Sequence, residues 1–469
     1  MTLGDLMAIL PLVVLAGGAC AILALDVVSP LSGRGAARLG AGVAIAAAVL
    51  AARLGPGSAG FGGAVQRDTG ALFFVALVAA GTAAALLLAA DYLAREESLP
   101  GPEFVALILF SATGAGLMAA GGDLLIVFLG LELLSLPLYA LTGLLTRARH
   151  GDEAALKYFL LGAAASAVFL YGVALLYAAT GTIRLDVLAR GATPPDPLAF
   201  AGIALLLAGI GFKAALVPFH SWAPDVYEAA PPPATAFMAI AVKTAAFAAL
   251  LRILGATSAG AVAAADWRMT LAVLAGLTLV IGNLAALGQR SVRRLLGWSS
   301  VAHAGYVAAA AAAGVDAAPF IAFYLVVYGT LAVAAFGLLT LLPDDDPTID
   351  DLAGLFRRAP LQAIGLLIVL MGLTGLPPTA GFIGKLYIFE ALAQARLLWL
   401  LLVAVLASVV SAAYYLRVAF VCLGPGEPGP AATGPRQTAK TVVALGAAFT
   451  LVVGLAPFPL LELARQVRY

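Results

Sequence analysis

Residues 211–225, GFKAALVPFHSWAPD, run through a long apolar stretch and place Pro218 near the end of a predicted helix. Residues 373–385, LTGLPPTAGFIGK, interrupt a second apolar stretch with a glycine and two prolines. Breaks of this kind at membrane depth are tolerated only where the freed backbone is buried in protein or lines a cavity. Paired interrupted segments in the two halves of a chain are typical of transporters built from repeats.

The composition places the whole chain in a membrane. Apolar residues make up 63% of the 469 residues and the mean hydropathy is +1.04, whereas soluble domains contain about 45–50% apolar residues. A net charge of +1 gives no reason to expect a nucleic-acid partner. We therefore predict one integral membrane domain over residues 1–469.

The apolar stretches predict an all-α, polytopic protein. About 20 apolar residues cross a bilayer as a helix, and by this criterion the sequence contains about 14 transmembrane helices. Helices seven and twelve of this set contain the two breaks. Because five positions separate them, equivalent units in the two halves would have inverted orientations. The predicted spans are centred near Ala16, Ala46, Ala80, Ser111, Leu134, Val168, Leu207, Ala241, Leu277, Ala304, Val333, Gly375, Ser408 and Thr450.

The distribution of basic residues predicts the orientation in the membrane. Connections that leave odd-numbered spans carry more Lys and Arg than the opposite set, with Arg147, Arg149 and the pair Arg293–Arg294 among them. The side with the excess is normally cytoplasmic. Both termini are therefore predicted on the opposite side.

The few cysteines and histidines limit the chemistry that this chain can carry. Cys20 and Cys422 are the only cysteines, and the sequence has three histidines. Iron–sulfur clusters and structural zinc sites generally need four Cys or His ligands, and no phosphate-binding glycine motif is found. We expect no cofactor and no metal site in this chain, so any redox chemistry would belong to a partner.

Four charged residues lie about halfway along predicted spans: Glu132, Lys213, Lys243 and Lys385. Lys243 follows Pro233 by ten residues, which is about 15 Å along a helix and half of a bilayer core of about 30 Å. A charge at that depth costs about 2.5–3.5 kcal/mol or more and normally marks a functional path. These residues, joined by His303 at a similar depth, are the candidate proton-carrying groups.

Two interpretations of this constellation remain open. A buried lysine can gain or lose a proton when a neighbouring charge moves, and Glu132 is the natural counter-ion for Lys213. The alternative is a static ion pair that orients helices. His303 is either a relay or a neutral core histidine bonded to Ser299, Ser300 or Tyr306.

Charged residues nearer the span ends have plainer interpretations. Lys157 either extends its amine to the interface or takes part in proton uptake. We expect a loop clasp from the residues after the first break, His220, Trp222, Asp225 and Glu228. We expect interfacial or solvated positions for Asp26, Asp91, Glu390 and the run Asp344–Asp346.

Four segments make a family resemblance specific: PFHSWAPDVYEAAPPPATAF (218–237), EAALKYFLLGAAASAVFLYG (153–172), LLGWSSVAHAGY (295–306) and GLPPTAGFIGK (375–385). They closely resemble subunit N of the bacterial respiratory NADH–quinone oxidoreductase (complex I), a family of antiporter-like membrane subunits. The resemblance covers essentially the whole chain.

The resemblance implies a proton channel built from two inverted five-helix repeats, at about residues 100–256 and 267–423, with flanking helices. It matches Glu132, Lys213, Lys243 and Lys385 to the family's proton-carrying residues of helices five, seven, eight and twelve. His303 and Lys157 match less specific positions, at the link between halves and in the uptake region.

The resemblance also implies the surroundings of the chain. NADH, FMN, iron–sulfur clusters and quinone are expected in partner subunits, with the antiporter-like subunit M and the small subunit K adjacent in the bacterial inner membrane. The alternatives are an Mrp-type cation/proton antiporter subunit, a subunit of a membrane hydrogenase or formate-oxidising complex, and a purely structural spacer.

Overall fold

The computed structural model describes residues 2–144, 151–190, 196–258, 264–342, 346–426 and 436–467. Arg147 and Arg149, which contributed to the predicted orientation, lie outside these residues, as does Arg468. Most of the acidic run Asp344–Asp346 also lies outside them.

Helices dominate the described part of the chain. β-Pairing there consists of isolated bridges, such as that between Gly60 and Val65. The helices are α1 (Leu3–Val28), α2 (Gly33–Arg53), α3 (Thr69–Leu93), α4 (Gly101–Ala120), α5 (Leu124–Gly143), α6 (Gly151–Thr180), α7 (Leu185–Arg190), α8 (Pro197–Ala214), α9 (Trp222–Ala229), α10 (Pro232–Phe237), α11 (Lys243–Ser258), α12 (Ala264–Leu287), α13 (Val292–Ala313), α14 (Ala318–Leu339), α15 (Leu355–Arg358), α16 (Pro360–Thr374), α17 (Ala380–Gln394), α18 (Leu398–Leu423), α19 (Gln437–Leu455) and α20 (Phe458–Ala464).

The all-α membrane architecture is confirmed. Twelve helical segments of the described residues are long and apolar enough to cross a membrane. The two other predicted spans correspond to α13, a 22-residue helix with two arginines in its first turn, and to the broken pair α16–α17. Each predicted span therefore falls on a helix or a broken helix.

Two helical segments form the centre of the molecule. The span Pro232–Thr257 joins α10, a π-helical turn at Met238–Val242 and α11, and it is buried throughout. Helix α14 is almost as fully buried and packs against α10, α16, α17 and α19. The outer helices α1, α6 and α18 expose much more apolar surface, as expected for helices that face lipid or partner subunits.

Small residues allow neighbouring helices to approach closely. A Cβ atom added at Gly282 of α12 would lie 2.8 Å from the Ala302 nitrogen, and one at Gly305 of α13 would lie 2.9 Å from the Leu279 nitrogen. Such contacts leave no room for a side chain, so the backbones of α12 and α13 pack directly. Transmembrane helices commonly associate through small residues in this way.

The expected interfacial position of Asp91 is wrong. Asp91 is completely buried, because it lies where α3 meets α2 and α19. Its carboxylate accepts hydrogen bonds from Arg34 Nη2 at 3.3 Å and from the Ala439 backbone nitrogen at 2.9 Å. Asp91 thus binds the positive N-terminal end of α19 and ties together three helices.

Candidate functional site

The first break ends α8 and redirects the chain. Ala215 adopts a left-handed conformation, with φ at 60°, and its N–H bonds back to the Gly211 and Phe212 carbonyls. The Val217–Pro218 peptide bond is cis, and a short turn leads to α9. Trp222 Nε1 donates to the Phe212 carbonyl at 2.9 Å, which fastens the second piece to the end of the first.

The second break repeats these features at the same spacing. Helix α16 ends at Thr374, Gly375 follows in a left-handed conformation with φ at 82°, and the Pro377–Pro378 peptide bond is cis. In both breaks the cis proline is the fourth residue after the end of the helix. The two interruptions predicted from sequence are therefore of one structural type.

Each break leaves a helix-terminal carbonyl that receives a buried lysine. Lys243 Nζ donates to the Ala214 carbonyl at 3.3 Å, and Lys385 Nζ donates to the Thr374 carbonyl at 2.7 Å. Ala214 and Thr374 are the last residues of α8 and α16. Carbonyls at the C-terminal end of a helix carry partial negative charge and attract cations, so each break forms a polar pocket inside the membrane domain.

Lys213 lies in the last turn of α8 and is 1% exposed. Its amine donates to Ser135 Oγ at 2.8 Å and to Tyr158 OH at 3.0 Å. It also lies 5.2 Å from the centre of the Tyr158 ring and 5.9 Å from that of Tyr139, within the range of cation–π attraction.

The predicted direct pairing of Glu132 with Lys213 does not occur. In the described structure these two residues form no ion pair within 4.0 Å, and the buried Oε1 of Glu132 has no hydrogen-bond partner. Lys213 instead binds Ser135, which lies three residues from Glu132 on the same face of α5. The residue of α5 that binds the Lys213 amine is thus one helical turn from Glu132.

Lys243 begins α11 directly after the π-helical turn. Single π-turns inserted in α-helices occur frequently at functional sites, because they release backbone groups from the regular hydrogen-bond pattern. Besides the Ala214 carbonyl, Lys243 Nζ donates to the Ser300 carbonyl of α13 at 2.8 Å. Lys243 therefore connects the first break with the helix that carries His303.

His303 is surrounded by tyrosines. Its Nδ1 is hydrogen-bonded to Tyr324 OH at 2.7 Å and its Nε2 to Tyr415 OH at 3.4 Å. The imidazole also stacks on Tyr328, with ring centres 4.7 Å apart. The hydrogen-bond partners expected from sequence, Ser299, Ser300 or Tyr306, are therefore wrong, because α14 and α18 supply closer hydroxyls.

Lys385 is the buried lysine at the second break. In addition to the Thr374 carbonyl, its amine donates to Ser408 Oγ of α18 at 3.0 Å. The amine lies 4.9 Å from the centre of the Tyr306 ring, and Tyr306 itself packs beside His303 with ring centres 6.1 Å apart. The structure thus brings both His303 and Lys385 next to one aromatic ring, that of Tyr306.

Lys157 belongs to a separate charged cluster. Its amine forms an ion pair with Asp225 of α9, and Asp225 also binds Arg294 at 2.8 Å. Arg294 in turn binds Glu228 at 2.7 Å. These four side chains form a clasp that joins α6 and α9 to the start of α13. Of the residues expected in a clasp after the first break, it contains Asp225 and Glu228, whereas His220 lies against Trp298 and Trp222 binds the Phe212 carbonyl.

The serine and tyrosine hydroxyl groups that bind the buried lysines and His303 are the part of the site that was not predicted from the sequence. Each buried lysine other than Lys243 binds a serine hydroxyl, and His303 binds two tyrosines. The spacing of Tyr324 and Tyr328, four residues apart on α14, places them on one helix face and was the available signal. The described residues contain no group of three or more His, Cys, Asp or Glu side chains arranged to hold a metal ion.

Residues 121–411 match the family described as NADH:quinone oxidoreductase/Mrp antiporter, TM. NADH-quinone oxidoreductase subunit N 1 of Sorangium cellulosum is 46% identical over 420 residues, which cover 86% of this chain and 82% of that protein. The chain belongs to this family, in its subunit N branch.

Solved structures agree with this membership. A chain of the respiratory complex I from Thermus thermophilus with bound aureothin is 39% identical, with a TM-score of 0.84 over 96% of this chain and 98% of that one. A chain of the membrane-bound sulfane sulfur reductase, an archaeal respiratory membrane complex, is 27% identical, with a TM-score of 0.87 over 98% of both chains. The subunit N fold therefore occurs in more than one kind of respiratory membrane assembly.

Proposed function

We propose that this chain is the antiporter-like, proton-translocating subunit N of an NADH–quinone oxidoreductase. Electron transfer from NADH to quinone takes place in partner subunits, which hold the FMN, the iron–sulfur clusters and the quinone. The observation that carries the proposal is the matched pair of breaks, each with a buried lysine on its terminal carbonyl. A static scaffold has no need of amines at these positions, since each has a large desolvation cost.

The proposed path runs through the middle of the membrane domain. A proton is taken up near Lys157 and passes Lys213 and Lys243, then His303, and leaves by Lys385. Glu132 regulates proton transfer along this path. Because its Oε1 has no hydrogen-bond partner among the described residues, its charge is free to interact with a neighbouring subunit and with Lys213.

The coupling in this proposal is electrostatic. A charge that arrives beside Glu132 draws the carboxylate towards or away from Lys213, and the change in the field alters the proton affinity of Lys243. Charges in a medium of low dielectric constant influence one another over several ångströms. The driving energy comes from the redox reaction in the partner subunits.

The inverted repeats predicted from sequence form part of the proposal. We assign residues 100–256 to the first repeat and 267–423 to the second. The equal spacing of the left-handed residue and the proline after the helix end in each break supports this division. The helices outside these limits, α1–α3 and α19–α20, would flank the channel.

The partner surface proposed for Glu132 lies on α5. Leu129 and Leu136 are 52% and 56% exposed and lie three and four residues from Glu132, so two exposed leucines flank this partly buried residue along α5. We assign the surface of Leu129 and Leu136 to a neighbouring membrane subunit, with subunits M and K as the expected neighbours. The location would be the bacterial inner membrane, with both termini periplasmic.

The rival functions differ in a measurable way. The test is to purify the assembly that contains this chain and to measure NADH–quinone turnover together with proton uptake into sealed vesicles. Turnover that is sensitive to the proton gradient supports the proposal. Sodium–proton exchange without NADH oxidation would establish the Mrp-type alternative, and reduction of another acceptor would establish a different respiratory assembly.

A further inference from the structure

Tyr324 occupies the space between His303 and the helix that carries Lys385. It lies on α14 and is 2% exposed. Its hydroxyl is 2.7 Å from His303 Nδ1. On its other side the ring touches the backbone of α17, since a Cβ atom added at Gly384 would lie 2.9 Å from Tyr324 Cδ2. Gly384 immediately precedes Lys385.

The two nitrogens of His303 have unequal partners. The bond to Tyr324 is 2.7 Å and the bond to Tyr415 is 3.4 Å. Tyr415 is also bound to Ser299, which lies on the same helix as His303, so both of these Tyr415 contacts are to α13. Tyr324, in contrast, contacts both His303 of α13 and the backbone of α17.

Neighbouring rings hold Tyr324 in place. The Tyr306 ring centre is 6.2 Å from that of Tyr324, and Tyr306 also lies beneath the Lys385 amine. Tyr328, one turn along α14, stacks on the imidazole of His303. The orientation of the Tyr324 hydroxyl towards His303 therefore follows from packing on several sides.

We propose that Tyr324 is a further relay residue, which transfers the proton between His303 and Lys385. This inference rests on the proposed function. The phenol oxygen accepts the proton on Nδ1 while its own hydroxyl proton passes through a bridging water molecule to the Lys385 amine, because Tyr324 and Lys385 form no direct hydrogen bond in the described structure. The phenol is therefore neutral before and after the step, and one proton has advanced. Positioned groups of this kind typically accelerate proton transfer by about 10²–10⁴-fold.

The test is Tyr324→Phe in the assembled complex, which removes the hydroxyl and keeps the ring. We expect NADH–quinone turnover and proton pumping to fall about tenfold or more, with normal subunit content. The matched control is Tyr387→Phe, because Tyr387 lies on the partly exposed side of α17 against Phe320. That control should retain parental turnover.

A second variant keeps every hydroxyl group and moves the ring. Gly384→Ala would push Tyr324 away from α17, so we expect reduced turnover in an assembled complex. Gly42→Ala, at a position with open space around it, is its control. If Tyr324→Phe does not assemble, parental turnover of Gly384→Ala overturns the inference and reduced turnover supports it.

Lys385→Ala separates this inference from the function on which it rests. Parental turnover of Tyr324→Phe together with loss of pumping in Lys385→Ala would overturn the relay role of Tyr324 alone. Parental pumping in Lys385→Ala would overturn the proposed proton path itself.

Discussion

Lys385 donates its amine to the carbonyl of Thr374, at 2.7 Å, where α16 ends. Lys243 makes the corresponding bond to Ala214, at 3.3 Å, where α8 ends. The two lysines differ in origin, since Lys385 follows its break in the same helix pair whereas Lys243 comes from the next span. Both breaks thus have a lysine amine bound to the carbonyl at the end of a helix, although the two lysines come from different positions relative to their breaks.

Glu132→Gln is expected to lower proton pumping and turnover several-fold without loss of assembly. The substitution removes the charge and keeps the size of a side chain whose Oε1 has no hydrogen-bond partner among the described residues. Glu132→Asp should retain more activity. Glu390→Gln, at an exposed carboxylate of α17, is the control, and equal loss in both variants would remove Glu132 from the mechanism.

Ser135→Ala is expected to reduce turnover less than Lys213→Ala does. Ser135 accepts a hydrogen bond from the Lys213 amine at 2.8 Å, and Tyr158 remains as a second acceptor. The control is Ser111→Ala, because this buried serine donates to the Leu134 carbonyl and contacts no lysine in the described structure. The pH dependence of turnover should differ from that of the parent for Ser135→Ala and should be unchanged for Ser111→Ala.

Asp225→Asn is expected to destabilise the subunit. Asp225 binds both Lys157 and Arg294 and is 24% exposed, so its contribution lies between those of surface and buried pairs, at about 1–3 kcal/mol. Asp186→Asn, which removes the more exposed ion pair with Arg184, should cost less. Thermal denaturation of the purified complex compares them, and equal midpoints would contradict the clasp.

Asp68 is expected to stabilise the subunit only above acidic pH. Burial raises the pKa of its carboxyl, but the charge and hydrogen bonds of Arg252, together with backbone hydrogen bonds from Gly70 and Ala71, outweigh that effect, so the pKa is lowered overall. A lowered pKa contributes stability above the ordinary aspartate pKa of about 3.9, and that contribution is lost as the pH falls through the lowered value.

The comparison for Asp68 is the denaturation midpoint of Asp68→Ala against the parent. Asp68 also caps α3 by accepting a hydrogen bond from the Ala71 nitrogen at 2.7 Å, which contributes about 1 kcal/mol. We expect a clear difference near pH 7 that narrows below pH 4. A difference that does not change with pH would mean that the ion pair contributes nothing.

The sequence was sufficient to predict the breaks and the buried charges. Pro218 and the glycine–proline run after Thr374 interrupt apolar stretches, so local chemistry alone predicts where the helices end. Lys243 and Lys385 are conspicuous because charges are rare in such stretches. The family resemblance predicts their roles in proton transfer without any structural information.

The partners of these charges could not be predicted from sequence. Lys213 binds Ser135 and Tyr158, which are 78 and 55 residues away, because the packing of α5 and α6 places a hydroxyl closer than the carboxylate. His303 was expected to bond within its own helix but binds tyrosines of α14 and α18. The interfacial position predicted for Asp91 is wrong for the same reason, since its partner Ala439 is 348 residues away.

The most direct test of the proposed path is Lys243→Ala in the assembled complex, with proton pumping and NADH–quinone turnover measured together. Lys440→Ala, at an exposed position near the start of α19, is the control. We expect loss of both activities with normal assembly, because Lys243 joins the first break to the helix of His303. Parental pumping and turnover would make Lys243 a structural residue and contradict the proton path.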